Sequence, residues 1–182
     1  AVRLLSLGAP EYWPAERWRT ATPESQGMSS AELAKVLDFI AERRIEVHSM
    51  LLVRRCYLVL EAYFYPCAAD TLHDICSCTK SVSSTLIGIA VDQGKIRSVQ
   101  ESLTELFPGR RLLNDTPAKR RITLENILSM TTGMDYPLLG EPRLEPMRRA
   151  PDMVQAVLDL PMVAEPGLVW GYNSGGSHLL SA

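Results

Sequence analysis

Ser77 and Lys80 stand in the order Ser77-Cys78-Thr79-Lys80, directly ahead of a long apolar helical pattern. A serine hydroxyl is a weak nucleophile near neutral pH and needs a base to take its proton. Residues i and i+3 share a helix face, so this spacing sets the Lys80 amine beside the Ser77 oxygen. Burial would push such a lysine toward its neutral, proton-accepting form. A helix N-terminus favours an alkoxide or oxyanion. The chemistry this predicts is acyl transfer. The competing reading is a helix N-cap with an exposed lysine in the first turn. No second Ser-x-x-Lys occurs in the chain.

The elements that would carry these residues read as follows. Ser29-Ser30-Ala31-Glu32 is a capping box, and Leu33, Val36, Leu37 and Ile40 form one apolar face, predicting an amphipathic helix over 30–43. Val47 to Val53 and Tyr57 to Tyr65 read as strands, and Arg54-Arg55-Cys56 between them predicts a hairpin whose turn lacks Gly or Asn. From Lys80, the residues Val82, Leu86, Ile89 and Ala90 have helical spacing, Ile87 and Val91 widen the stripe, and Gly94 fits a stop. That helix is expected to be buried on most sides. Thr123 caps a short helix with Leu124, Ile127 and Leu128 inward, closed by Thr131-Thr132-Gly133. Pro137 to Pro151 reads as a loop, Asp152 to Leu160 as a helix, and Glu165-Pro166-Gly167 as a turn before Trp170-Gly171-Tyr172-Asn173-Ser174-Gly175-Gly176. Trp13 and Trp18 are expected to pack the N-terminal segment. Two strands make a poor sheet by themselves, which points to further chain.

Composition narrows the function classes. The chain has 182 residues, 46% hydrophobic and 22% charged, enough for one sizeable core. A net charge of −2 gives no electrostatic reason to expect nucleic acid or an anionic membrane as partner. The longest apolar runs, such as Leu86 to Val91, are far too short to span a bilayer. Ala1 to Pro10 reads as a leader remnant or an ordinary leading segment, and both ends read as cut. Cys56, Cys67, Cys76 and Cys78 are too few for a disulfide framework in a chain this long. A metal set of Cys67, His73, Cys76 and Cys78 has tighter spacing than the usual zinc pairs. Unpaired, partly buried thiols are the preferred reading, with no metal ligand assigned.

Several segments taken in order resemble the serine β-lactamase and penicillin-binding-protein superfamily. The side resembled holds class C β-lactamases, D-alanyl-D-alanine carboxypeptidases, family VIII-type esterases and 6-aminohexanoate-oligomer hydrolases. The residues that carry the likeness are Ser77-Cys78-Thr79-Lys80-Ser81 with Asp92-Gln93-Gly94-Lys95, Thr123-Leu124-Glu125-Asn126-Ile127-Leu128 through Thr132-Gly133-Met134, and Glu165-Pro166-Gly167 leading into Tyr172-Asn173-Ser174. Pro23-Glu24-Ser25-Gln26-Gly27-Met28 and Glu61-Ala62-Tyr63 fit as well.

The resemblance implies an α+β, β-lactamase/transpeptidase-like fold: an antiparallel sheet flanked by helices plus an all-helical region, with the C-terminal part missing. Residues 1–20 would be an extension or leader remnant, and 21–182 the N-terminal portion of the hydrolase domain. It implies that Ser77 attacks a carbonyl, that Lys80 holds or accepts the serine proton, and that Tyr172 shuttles a proton to the leaving group. A phenol normally titrates near ~10, so that role needs a nearby cation, Lys80. Ser174 would bind around Lys80 or the substrate, and the Ser77 N–H would supply half of an oxyanion hole. The family's Lys/His-Thr/Ser-Gly strand lies beyond this chain. Ser174 replaces the Asn usual in β-lactamases of this kind, which leans toward an esterase or amidase. Cys76 and Cys78 flank the serine where other residues are expected.

The expected function is hydrolysis of a small-molecule ester, amide, β-lactam or peptide through an acyl-serine, without metal or cofactor. The alternatives are a non-catalytic ligand-binding or receptor module on the same scaffold, and a metal-bound regulatory domain built on the cysteines. Tyr172 beside Trp170 also reads as core aromatics, and Asn173 to Gly176 as a plain turn. His73 and His178 have no Ser–His–Asp spacing and read as structural or surface residues. Oligomeric state and compartment, periplasmic, secreted or cytoplasmic, are left open by these residues.

Overall fold

The Ser29 box starts a helix where the pattern places it. Helix α1 spans Ser30–Arg43, and the Ser29 hydroxyl accepts from the Glu32 N–H at 3.3 Å. The Glu32 carboxylate is turned to Lys35 at 2.6 Å, and Glu24 from the preceding 3-10 turn accepts from the Ser30 N–H at 2.8 Å. Leu33, Leu37 and Ile40 are half-buried, whereas Val36 is exposed. The helix stops at Arg44, φ +50°, with the Ile45 N–H donating to the Ile40 carbonyl. Arginine here takes the left-handed position that glycine usually fills. The computed structural model describes residues 12–136, 147 and 149–182. Ala1 to Pro10 and most of the 137–151 loop lie outside the described residues.

The chain divides into two compact units, meeting in sequence at His73/Asp74. In the first, strands β2 (Ser49–Arg54) and β3 (Tyr57–Tyr63) form the expected hairpin, with a bulge at Leu52/Val53. Arg55 and Cys56 turn it with φ of +50° and +64°. Two left-handed residues match the twist of the flanking strands, so the turn has primed geometry without Gly or Asn. Strand β1 (Arg19–Thr20) runs parallel to β3, giving a sheet of order β1-β3-β2 with Leu58 and Val59 buried at its centre. Two residues carry no alternation to read, so β1 is invisible in the sequence. Trp13 and Trp18 do not pack as expected. They are 71% and 41% exposed, and the cation–π contact of that segment is Arg19 over the Tyr12 ring at 4.0 Å.

The second unit opens with a 3-10 turn, Cys76–Cys78, running into α2, Thr79–Asp92. Gly94, φ +68°, closes α2, with the Lys95 N–H bonded to the Ala90 carbonyl. The expectation that α2 is buried on most sides is overturned: Val82, Leu86 and Ile89 are 51%, 59% and 46% exposed. The half-buried residues are Lys80, Ser83, Ile87, Ala90 and Val91. Apolar residues surround this helix, but the described chain covers only one of its sides.

Among the described residues five short helices follow: α3 Leu103–Leu106, α4 Pro117–Arg120, α5 Leu124–Leu128, α6 Met153–Leu158 and α7 Ser174–Leu179. Helices of one or two turns leave most of their end groups orphaned, and each of these has a capping side chain: Ser102, Thr116, Thr123, Asp152 and Asn173. Their inward residues, among them Leu103, Ile127, Val157, Leu158 and Leu179, make the core of the unit together with Ile122, which links α4 to α5. Buried Lys119 donates to the Leu113 carbonyl at 2.6 Å. Burial pushes its ammonium below the usual lysine range, and Asp159 and Asp115 oppose that shift.

The α3 cap yields a pH prediction. The Ser102 N–H and hydroxyl both donate to Glu105 Oε2 at 2.8 Å, and Arg97 reaches Oε1 at 2.9 Å. These bonds, the Ser102 N–H foremost, hold the Glu105 carboxyl at about 2 against an ordinary 4.5. Folding therefore favours the ionised form, so the stabilisation is present above the ordinary value and is lost as pH falls toward the folded one. Glu105→Gln is expected to melt below the parent at neutral pH and to converge with it across that acidic window. A melting gap unchanged between the two ends of the window would refute this.

Candidate functional site

The candidate nucleophile rests on a strained turn. The Cys76 N–H donates to Asp74 Oδ1 at 2.7 Å, and the Cys78 N–H donates to the Ile75 carbonyl at 2.9 Å. Between them Cys76 sits at φ +45°, left-handed backbone that a non-glycine residue adopts only when its surroundings impose it. Ser77 follows, exposed, in the middle of the 3-10 turn, and half-buried Lys80 stands in the first turn of α2. Lys80 Nζ donates to Ser77 Oγ at 3.2 Å. The Ser-x-x-Lys spacing thus brings the two groups together, with the serine on the turn ahead of the α-helix.

Tyr172 reaches the same oxygen from the far end of the unit, its hydroxyl donating to Ser77 Oγ at 2.6 Å. Lys80 Nζ lies 4.9 Å from the Tyr172 ring centroid, within cation–π range. Ser77 Oγ therefore receives two donors, one of them an ammonium when Lys80 is protonated. That environment stabilises negative charge on the oxygen. A neutral amine or a phenolate at the same atoms would accept its proton.

Backbone ties hold Tyr172 in place. Past the end of α5 the chain reverses at Met130, φ +58°, with the Thr131 N–H donating to the Asn126 carbonyl. This reversal aims the Met130 and Thr131 carbonyls at the returning chain, where they accept from the Gly171 and Gly167 N–H groups at 2.9 and 2.8 Å. The Gly133 carbonyl accepts from the Val163 and Ala164 N–H groups. On the other side of Tyr172, Asn173 caps α7, accepting from the Gly176 N–H at 2.6 Å. Asn173 is buried, and its Nδ2 has no hydrogen-bond partner among the described residues. It lines a cavity of ≈ 120 Å³ together with Met130, Gly133 and Trp170.

These findings decide several alternatives. Asn173 to Gly176 is a capped helix start, and Trp170 is 59% exposed beside half-buried Tyr172, so neither the plain turn nor the core-aromatic reading holds. Ser174, half-buried, is the first residue of α7. His178 lies in the last turn of that helix, and His73 belongs to the other unit. All four thiols are free, but Cys56, Cys76 and Cys78 are exposed, contrary to the expectation of partial burial; Cys67 alone is half-buried. Of the supporting residues, Gly133 and Asn173 stand in the sequence only as members of motifs, and Asp74 and Met130 carry no expected role. Asp74 two residues before Cys76, and Asn173 ahead of a short helix, are local cap signals; Met130 left no signal.

A family model, Beta-lactamase, matches residues 33–182. An acyltransferase of Penicillium decumbens, calJ, is 30% identical over an alignment of 126 residues that covers 59% of this chain and 30% of that protein. Among solved structures, a Bacillus anthracis protein assigned as a 6-aminohexanoate-dimer hydrolase superposes with a TM-score of 0.60 at 18% identity, over 81% of this chain and 40% of that one. A protein of Bacteroides dorei DSM 17855 assigned as a beta-lactamase gives 0.65 at 22% identity, over 84% and 44%. These structural likenesses carry the fold: helices with a small sheet, as the resemblance implied. The chain spans less than half the length of these relatives.

Proposed function

The chain belongs to the beta-lactamase family, and on that footing we propose that it carries the acylation machinery of a serine hydrolase, cleaving an ester or amide through an acyl-serine. The observation that carries the reading is the convergence of Lys80 Nζ and Tyr172 Oη on Ser77 Oγ. In the acylation step Ser77 Oγ bonds to the substrate carbonyl carbon, and its proton passes to the unprotonated partner, Lys80 or Tyr172. The carbonyl electrons return as the leaving group departs, taking a proton from Tyr172 Oη. Water then attacks the acyl-serine by the reverse proton route, releasing the acid and free Ser77. The Ser77 N–H serves as one oxyanion donor, and Ser174 contacts the substrate. Serine in place of asparagine there favours an ester or simple amide over a β-lactam.

A phosphonate probe tests this, since it phosphonylates only an activated serine. Intact mass and peptide mapping of the chain, and of the longest gene product that contains it, are expected to give a single adduct on Ser77 that Ser77→Ala loses. No adduct on either protein would overturn the proposal and favour a ligand-binding module on the same scaffold. The similarity to a protein named an acyltransferase supports a second reading, in which an alcohol or amine replaces water as acyl acceptor. A transfer product formed in preference to the free acid would decide for it.

A further inference from the structure

The open end of the hairpin gathers three metal-binding side chains that the Ser77 site does not use. His48 directly precedes β2, and Cys67 and His73 lie in the loop that follows β3. Antiparallel pairing sets the start of one strand beside the end of the other, and here the Phe64 N–H donates to the His48 carbonyl at 3.0 Å. The Cys67 N–H donates to the Phe64 carbonyl at 2.8 Å, and Ala68 and Thr71 close a tight turn by two bonds, at 2.9 and 3.1 Å. That turn sends the chain back, so the His73 ring tilts against the His48 ring with centroids 4.5 Å apart. The His48, Cys67 and His73 ligand atoms all lie within 4.8 Å of one another, with His48 Nδ1 and His73 Nε2 at 2.5 Å.

We propose that His48, Cys67 and His73 form a binding site for a divalent zinc-like cation in the first unit. Two imidazoles and a thiolate are a borderline-soft set that suits zinc and disfavours calcium or magnesium. Tetrahedral zinc, with Zn–N of about 2.0–2.1 Å and Zn–S of about 2.3 Å, needs ligand atoms roughly 3.3–3.6 Å apart. The His48–His73 pair at 2.5 Å is closer than that range and the other separations lie within 4.8 Å, so side-chain shifts of about an ångström bring the three ligands into it. The imidazoles bind as neutral rings, the Cys67 thiol releases its proton to solvent as the Zn–S bond forms, and a water takes the fourth position. His48 and His73 are exposed, so the ion has direct access. Its structural effect is to fasten the 64–73 loop to the hairpin. Cys67 and His73 belonged to the set weighed from sequence; the third ligand is His48, not Cys76 or Cys78.

Zinc(II) or cobalt(II) alone, titrated into the reduced, metal-free chain, tests this. Elemental analysis after desalting is expected to give one zinc per chain, and cobalt to give a thiolate-to-metal charge-transfer band. Cys67→Ser should abolish that band, and His48→Gln and His73→Gln should each weaken zinc binding at least tenfold, with unchanged far-ultraviolet dichroism in the metal-free form. Cys76→Ser/Cys78→Ser should bind as the parent does. No retained zinc, or zinc that survives all three ligand substitutions, would overturn the proposal. Loss of zinc only in Cys76→Ser/Cys78→Ser would also overturn it.

Discussion

Lys80→Met is expected to slow phosphonate or ester acylation of Ser77 by about 10²–10⁴-fold, the range ascribed to a positioned general base. Methionine keeps the length of the side chain and removes both the hydrogen bond to Ser77 Oγ and the capacity to accept a proton. Lys80→Arg separates two roles that Lys80→Met removes together. Arginine keeps a cation near Ser77 Oγ and the Tyr172 ring, but it does not deprotonate in a protein. If Lys80 is the base, both variants lose the same order of rate. If Arg retains most of the parental rate, Lys80 acts only as a charge, and the proton must go to Tyr172. Tyr172→Phe completes the set: it removes the 2.6 Å donor and keeps the ring under Lys80. Groups acting as one unit are not additive, so Lys80→Met/Tyr172→Phe should be little slower than the slower single variant. Stopped-flow acylation rates, with Ser77→Ala as the zero, measure all four. Parental rates in both Lys80→Met and Tyr172→Phe would remove these residues from the chemistry.

What could be read from the sequence follows the distance over which each feature is encoded. Ser77 and Lys80 were legible because both atoms hang on one turn of chain, and so were α1, the hairpin and the α5 cap. Tyr172 was legible only through the order of segments that the chain shares with a family, because no local rule joins it to Ser77. The sharp turns were poorly legible. Arg44, Arg55, Cys56, Cys76 and Met130 all take positive φ, where propensity favours glycine and only hydrogen bonds made after folding hold the residue. The burial of α2 was misjudged for a related reason. An apolar stripe records that a helix can be covered, not that a partner lies over it, and Val82, Leu86 and Ile89 stand open. Of the His48–Cys67–His73 group, Cys67 and His73 stand close enough in sequence to be read together, but His48 does not, because strand pairing, not spacing, delivers it.

Gly133→Ala is expected to be the most disruptive small change in the second unit, and the reason is steric. Gly133 is buried at φ +72°, so any side chain there meets left-handed strain of about 1 kcal/mol. A Cβ would also stand 2.3 Å from the Ala164 carbonyl oxygen and 3.0 Å from its carbon, far inside contact distance and against backbone that cannot rotate away. Relieving the clash means moving residues 163–165, which breaks the bonds from the Val163 and Ala164 N–H groups to the Gly133 carbonyl. Overpacking and lost backbone bonds together should cost about 3–5 kcal/mol, a drop in melting temperature of roughly 10 °C or more. Gly109→Ala is the internal control, because Gly109 has φ +81° but nothing within 4 Å of the methyl that alanine would add, leaving the φ strain alone. The moved segment leads directly into Gly171 and Tyr172, so Gly133→Ala should also slow labelling of Ser77 at temperatures where the protein is still folded, and Gly109→Ala should not. Equal melting shifts in the two variants would mean that Ala164 yields freely and that the 130–134 ties do not hold Tyr172. A larger shift at Gly133 with slower labelling would fix that backbone brace as what delivers the phenol to the serine.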